Sequence, residues 1–295
     1  MDDHAASEYV RLWDVQPVPI RPSRLGLAHY RNVMRLTPQA SVLICGATPE
    51  LVDLAIIIGA SRIVRLDLSM EILLGMKNLA TQDWSNVESV QGNWLEHQPG
   101  LDGAFDYVVC DGGPLFLEFP LQWRTFFCNV HRYLKPGGVF CFKGQAHPKE
   151  LPSFESLRDK RIAHFKATSS TMPHQEKIAR FWHLVAHLWQ LCMVGLVAPD
   201  GKIDKHAVSA RLDATGECVM QEFPDKRLQE IAHEALHKIF RNQDRTPILE
   251  YLTPPDLIAP YLTDVGFVLE PTQFLIDSEP LPDYCYQMTA RKPLR

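Results

Sequence analysis

The chain has 295 residues, 46% hydrophobic and 22% charged, which suits one large globular domain or a domain with a sizeable insertion. A formal net charge of −5 gives no general electrostatic reason to expect nucleic-acid or membrane binding. No apolar run approaches the ~18 residues that suggest a membrane span, the polar start MDDHAASEYV is unlike a signal peptide, and seven cysteines without a C-x-x-C point to a reducing, cytoplasmic setting.

Residues 1–40 read as an N-terminal cap segment. They hold Trp13, the prolines of QPVPIRPS and a helical stretch near LAHYRNVMRL that Ser23 can cap. Residues 41–145 alternate strand and helix. Strands are predicted at 41–45, 62–66, 87–90, 105–110 and 138–143, and helices at 49–59, 69–80 and 120–133. That alternation implies a parallel sheet with helices on both faces.

Residues 146–250 break the pattern and are too long for a plain connection. Two amphipathic helices are predicted there, roughly 174–195 and 225–242. APDGKID and LDATGECVMQEF between them read as turns with a small hairpin. The region is expected to be a helical insertion that roofs a substrate pocket. Residues 251–295 return to the core pattern, with a helix from Asp256 to Val265 and an antiparallel pair, Phe267–Ile276 with Tyr284–Arg291.

The core is organised around SVLICGATPE. Val42 to Cys45 form a short buried strand. Gly46 follows where the backbone must turn, Ala47 and Thr48 keep the turn small, and Pro49 suits a first helical position. Thr48 is a natural N-cap, and Glu50 puts negative charge in the first turn. The second strand ends in Asp67, 21 residues after Gly46, near the ~20-residue spacing of a ribose-binding acid. The third strand runs into Asn93 and Trp94. The fourth ends in Asp111, Gly112 and Gly113.

Four blocks in this order, VLICGATPE, IVRLDLS, SVQGNW and FDYVVCDGGP continuing into HRYLKPGGVFCF, resemble the class I S-adenosylmethionine (SAM)-dependent methyltransferases. The first block departs from the family's acid-x-Gly-x-Gly-x-Gly. Ile44 stands at the acid position and only Gly46 of the glycines remains. The Gly-x-Thr-Pro-Glu turn is similar to that of a bacterial branch of the family. The resemblance implies a Rossmann-like, mostly parallel sheet with an antiparallel C-terminal strand, SAM as cofactor, and methylation of an O, N or C atom. It also implies a cofactor site built from Gly46, Ala47, Thr48, Asp67, Leu68, Asn93, Trp94, Asp111 and Gly112. Asp67 would hold the ribose hydroxyls, and Asn93 and Trp94 the adenine. Asp111 would face the sulfonium end or act as a base. The alternative is a SAM-binding sensor or partner subunit without turnover.

Trp182 and Trp189 can line an acceptor pocket, although such a stripe also reads as core. His233-Glu234-Ala235-Leu236-His237 matches H-E-x-x-H formally. Its histidines, like His183 and His187, lie off the apolar stripes, so no metal is expected. Asn-Pro-Pro-Tyr and Asp-Pro-Pro-Tyr are absent after the fourth strand. With the acidic balance, this points to a small-molecule acceptor rather than DNA or RNA. Oligomeric state is not legible in the sequence.

Overall fold

A computed structural model describes residues 10–11, 13–35, 37, 39–146, 150–239, 251–281 and 283–294. The five expected core strands form. They are β1 (Ser41–Cys45), β2 (Arg62–Asp67), β3 (Val87–Gln91), β4 (Phe105–Asp111) and β5 (Leu134–Gln145). All are parallel, with β1 between β2 and β4: Val42 pairs with Ile63 on one side and Tyr107 on the other. Every residue of β1 is buried, as a central strand covered on both faces requires. The C-terminal segment adds β6 (Val268–Leu269) and β7 (Gln273–Leu275), both antiparallel to β8 (Cys285–Arg291), which pairs antiparallel with β5. The eight-stranded sheet has the order β3-β2-β1-β4-β5-β8-β6, with β7 also on β8.

Alternate strand residues feed two cores. Val42, Ile44, Tyr107, Val109, Val139 and Cys141 pack under α1 (Arg24–Met34) and α2 (Pro49–Ile57). Leu43, Cys45, Val108, Cys110, Phe140 and Phe142 pack under α4 (Leu121–Tyr133), and this second core runs on into the insertion. The short α3 (Met70–Met76), after β2, ends in a 3-10 turn, Lys77–Leu79, within the single helix expected at 69–80.

Three sequence expectations need correction. β5 begins at Leu134, so Lys-Pro-Gly-Gly lies inside the strand rather than before it. The described part of the insertion has four helices in place of two: α5 (Phe154–Ser169), α6 (His174–Leu191), α7 (Lys205–Glu222) and α8 (Lys226–His233), the last continuing as a π-helical segment, Glu234–Ile239. LDATGECVMQEF belongs to α7 and is not a turn. Its buried stripe is Val208, Leu212, Thr215, Gly216 and Val219. Gly inside a helix costs ~1 kcal/mol against Ala, but packing of the stripe overrides that preference. Thr215 also returns its hydroxyl to Arg211 O at 2.7 Å. APDGKID does make a small hairpin, with a bridge between Val197 and Ile203. The C-terminal helix, α9, runs Pro255–Val265 and stops at Gly266, whose φ of 105° suits a left-handed cap.

Candidate functional site

Parallel β1, β2, β3 and β4 all deliver their carboxyl ends to one edge, so Gly46, Asp67, Asn93 and Asp111 line that edge together. Gly46 has φ 114°, a region closed to most L-residues, and its N–H donates to Leu66 O at 2.9 Å. A Cβ there would meet only Trp94 Cζ2, at 3.8 Å, so the turn is open above. Thr48 occupies the N-cap position of α2 but makes no capping bond with its side chain. Ala47 is covered by Trp13. The Asp67 carboxylate accepts from Ser69 N at 3.0 Å. Burial raises its pKa, and the backbone amides of Ser69 and Leu68 and the nearby Arg65 oppose the rise. Leu68 beside it is 62% exposed, an apolar side chain left open on this edge.

Asn93 Oδ1 accepts from Leu95 N at 3.0 Å, which orders the turn after β3. The Trp94 indole donates to Leu66 O at 2.8 Å and packs on Phe126 at 5.7 Å between centroids. A Cβ on Gly113 would lie 2.7 Å from the same ring. Trp94 thus spans the ends of β1, β2 and β4, and Gly113 is the residue that fits beneath it.

Asp111 is closed off. Lys143 Nζ donates to Asp111 Oδ2 at 2.6 Å and to Pro19 O at 2.7 Å, and both partners of the ion pair are almost fully buried. The Tyr30 hydroxyl shares its proton between Cys110 O at 3.0 Å and Asp111 Oδ1 at 3.3 Å. Burial pushes the Asp111 carboxyl up, against the pull of Lys143 and Tyr30. Gly112 has φ 79°, and a Cβ there would sit 3.5 Å from Lys143 Cε. Lys143 is a partner that sequence reasoning missed. Its signal was present, a lone lysine in the apolar strand FCFKGQ.

The N-terminal segment crosses this edge. Trp13 is buried against Ala47, Ile72, Leu73 and Met76. Its indole N–H (3.2 Å) and Arg21 Nε (2.7 Å) both donate to Glu50 Oε1. Glu50 Oε2 is buried with no hydrogen-bond partner among the described residues. Glu50, read from sequence only as helix-start charge, is therefore a third carboxylate of this edge, near enough to raise the Asp111 pKa. From the insertion, His187 Nε2 donates to Val18 O at 3.0 Å. The Val18 and Pro19 carbonyls are thus held from the insertion and from β5. His187 is buried, not solvated, and burial lowers its pKa to about 4.

Trp182 and Trp189 are half-buried and pack against the large core. His233 is exposed on α8. The His237 side chain lies outside the described residues, among which no group of three His, Cys, Asp or Glu can hold a metal ion. No helix among the described residues is long and apolar enough to cross a membrane.

Comparison with known proteins bears on the fold that carries this edge. Residues 43–138, about a third of the chain, match the family model of a methyltransferase domain. No curated protein matches the chain. Among solved structures, a chain from Rhodobacter sphaeroides described with the zinc-dependent alcohol dehydrogenases aligns at 15% identity and TM-score 0.57, covering 98% of this chain and 97% of that one. A SAM-dependent methyltransferase from Methanosarcina mazei aligns at 15% identity and TM-score 0.51, over 93% and 100%. The N-methyltransferase NodS of Bradyrhizobium japonicum, in complex with S-adenosyl-L-homocysteine, aligns at 12% identity and TM-score 0.50, over 98% and 97%. At these identities the structures share a fold and no more.

The sheet order and its antiparallel closing strand make a Rossmann-like fold, shared with the methyltransferase structures above. The chain carries a methyltransferase domain over that third of its length.

Proposed function

We propose that the protein transfers the methyl group of SAM to an O, N or C nucleophile of a small molecule, over the carboxyl ends of β1 and β4. The observation that carries this reading is the convergence of Gly46, Asp67, Asn93 and Asp111 on one sheet edge. These residues suit the cofactor. Gly46 offers open backbone beside the Ala47–Thr48 turn, Asp67 a carboxylate for the ribose hydroxyls, and Leu68, Asn93 and Trp94 a partly apolar wall for the adenine. Gly112 lets the chain turn away beside the cleft. Bound SAM supplies an electrophilic methyl group on a sulfonium.

The chain supplies position and charge. Glu50 Oε2 is an unfilled buried acceptor, and a cationic amine is the group that recovers the cost of burying it. Asp111 has one oxygen on Lys143 and the other on Tyr30. We read it as the group that fixes the floor and the N-terminal segment, not as a base. Catalysis then rests on holding the acceptor in line, and orientation supplies much of the rate. The insertion, residues 146–250, forms the roof that selects the acceptor and excludes water, with Trp182 and Trp189 as lining. The seven free cysteines support a cytoplasmic setting.

Calorimetry with SAM and S-adenosyl-L-homocysteine tests the reading. Both are expected to bind, and Glu50→Gln should weaken both ligands. Binding of a nicotinamide dinucleotide with neither of these would overturn it.

A further inference from the structure

Away from the cofactor edge, an open cleft of about 600 Å³ lies between the insertion and the segment before the C-terminal helix. This is the size range of small-molecule sites, ~300–1,000 Å³. Its walls come from the start of α5, the turn after α6 and the segment before α9. They are mainly apolar, including Leu151, Phe154, Val197, Pro199, Leu252 and Pro254. Arg211 of α7 also lines it.

Arg211 is not neutralised. Its Nη1 donates to Cys192 O at 3.3 Å and to Val194 O. The guanidinium carbon stands 4.8 Å over the Phe154 ring. Among the described residues no carboxylate lies within 4.0 Å of it. The contrast is Arg158, on the same ring at 5.7 Å, which is paired with Asp159 at 2.8 Å. A guanidinium stays charged at any ordinary pH and carries five N–H donors in a planar fork. Here one nitrogen is spent on carbonyls that fix the side chain, and no ion pair among the described residues neutralises the charge beside the apolar wall. The other charged lining residue, Glu155, is exposed in the first turn of α5 and forms no ion pair with Arg211. At the rim it repels a second negative charge.

We propose that this cleft binds a small amphipathic monoanion, with an apolar body against the Phe154–Val197–Leu252 walls and a carboxylate on Arg211. Burial of the apolar part supplies most of the affinity. The charge-assisted, fork-to-carboxylate bond supplies orientation and selects against neutral analogues. The site does not depend on the methyl-transfer reading, since none of its walls comes from the β1–β4 edge.

The test is calorimetry on the full chain with decanoate and decanol as probes. Decanoate is expected to bind at one site, and decanol at least tenfold more weakly. Arg211→Gln, and Ala198→Trp at an exposed lining position, should each weaken decanoate tenfold or more and leave S-adenosyl-L-homocysteine binding unchanged. Ala198→Trp touches no hydrogen bond of Arg211, so it keeps the test sharp if Arg211→Gln fails to fold. No decanoate binding by the wild type, equal binding by wild type and both variants, or decanol binding as tight as decanoate would each overturn the proposal.

Discussion

The sheet and the insertion are held together by different forces. In the sheet, backbone ladders fix each strand against its neighbour, from Val42 on Ile63 to Asp111 on Lys143. A one-residue slip would turn every side chain to the opposite face. The polar residues at the carboxyl ends therefore inherit their positions from the backbone. Among the described residues of the insertion, strand pairing is limited to the isolated bridges Val197–Ile203 and Lys202–Tyr251. Phe165, Phe181 and Phe223 meet edge to face at 5.2 to 5.4 Å, and a few long-range bonds, such as Arg161 to Glu279 (2.9 Å) and to Pro280 O (2.6 Å), tie the helices to the core. The difference predicts a rigid sheet, the proposed cofactor floor, beside an insertion, the proposed roof, that can open or change locally.

The largest effect should come from breaking the one buried ion pair that belongs to the floor. Lys143→Met leaves Asp111 buried without its partner and should destabilise the whole protein by about 3–5 kcal/mol in urea unfolding. A change below 1 kcal/mol would mean that water reaches the pair and that the floor is not sealed. Phe181→Ala should cost about 3 kcal/mol, but locally. Hydrogen exchange should speed up across α5 to α8 while β1 and β4 keep their protection. Equal loss in both regions would show that roof and floor unfold as one unit.

Asp67→Ala sharpens the same contrast from the other side. It should weaken SAM binding by about 1–3 kcal/mol, the scale of hydrogen bonds to a charged group, with the melting temperature nearly unchanged. Unaltered affinity would assign the ribose to another acid.

The seam between the regions is sensitive to pH. His187 is held neutral by burial, with the nearby Arg161 adding to that effect and Glu279 opposing it, and its pKa falls from 6.5 to about 4. The unfolded chain therefore takes up a proton at His187 between pH 6.5 and 4 while the folded chain does not, so stability falls as the pH is lowered through that window. His187→Gln, which keeps a donor for Val18 O, should flatten that part of the acid limb in a stability–pH profile. An unchanged profile would mean that His187 is reached by water.

The smallest effect is expected from His233→Ala. His233 sits exposed on α8, and its loss should change stability by no more than about 0.5 kcal/mol and leave methyl transfer intact. Bound stoichiometric zinc, lost in the variant together with activity, would make the insertion a metal site.

Local patterns in the sequence determined most of the sheet. The buried run Val42–Cys45, the turn glycine Gly46 and the strand-ending acid Asp67 are legible because a parallel strand covered on both faces must be apolar and must release its polar residues at its end. Helix α6 was legible for a similar reason, its apolar stripe being unbroken. α7 was not, because Thr215 and Gly216 fill stripe positions where sequence reasoning expects larger side chains, and only packing against Cys192, just past α6, and against α8 makes the stripe core. Tertiary structure alone decided the partners of the site. Asp111 meets Lys143 across two paired strands, Tyr30 arrives from 81 residues away, and the Val18 and Pro19 carbonyls are gripped by His187 and Lys143 from 169 and 124 residues away. Periodicity and spacing carry information over one element and its next turn. Neutralisation of a buried charge is a contact between distant segments, and it exists only once the chain has closed around it.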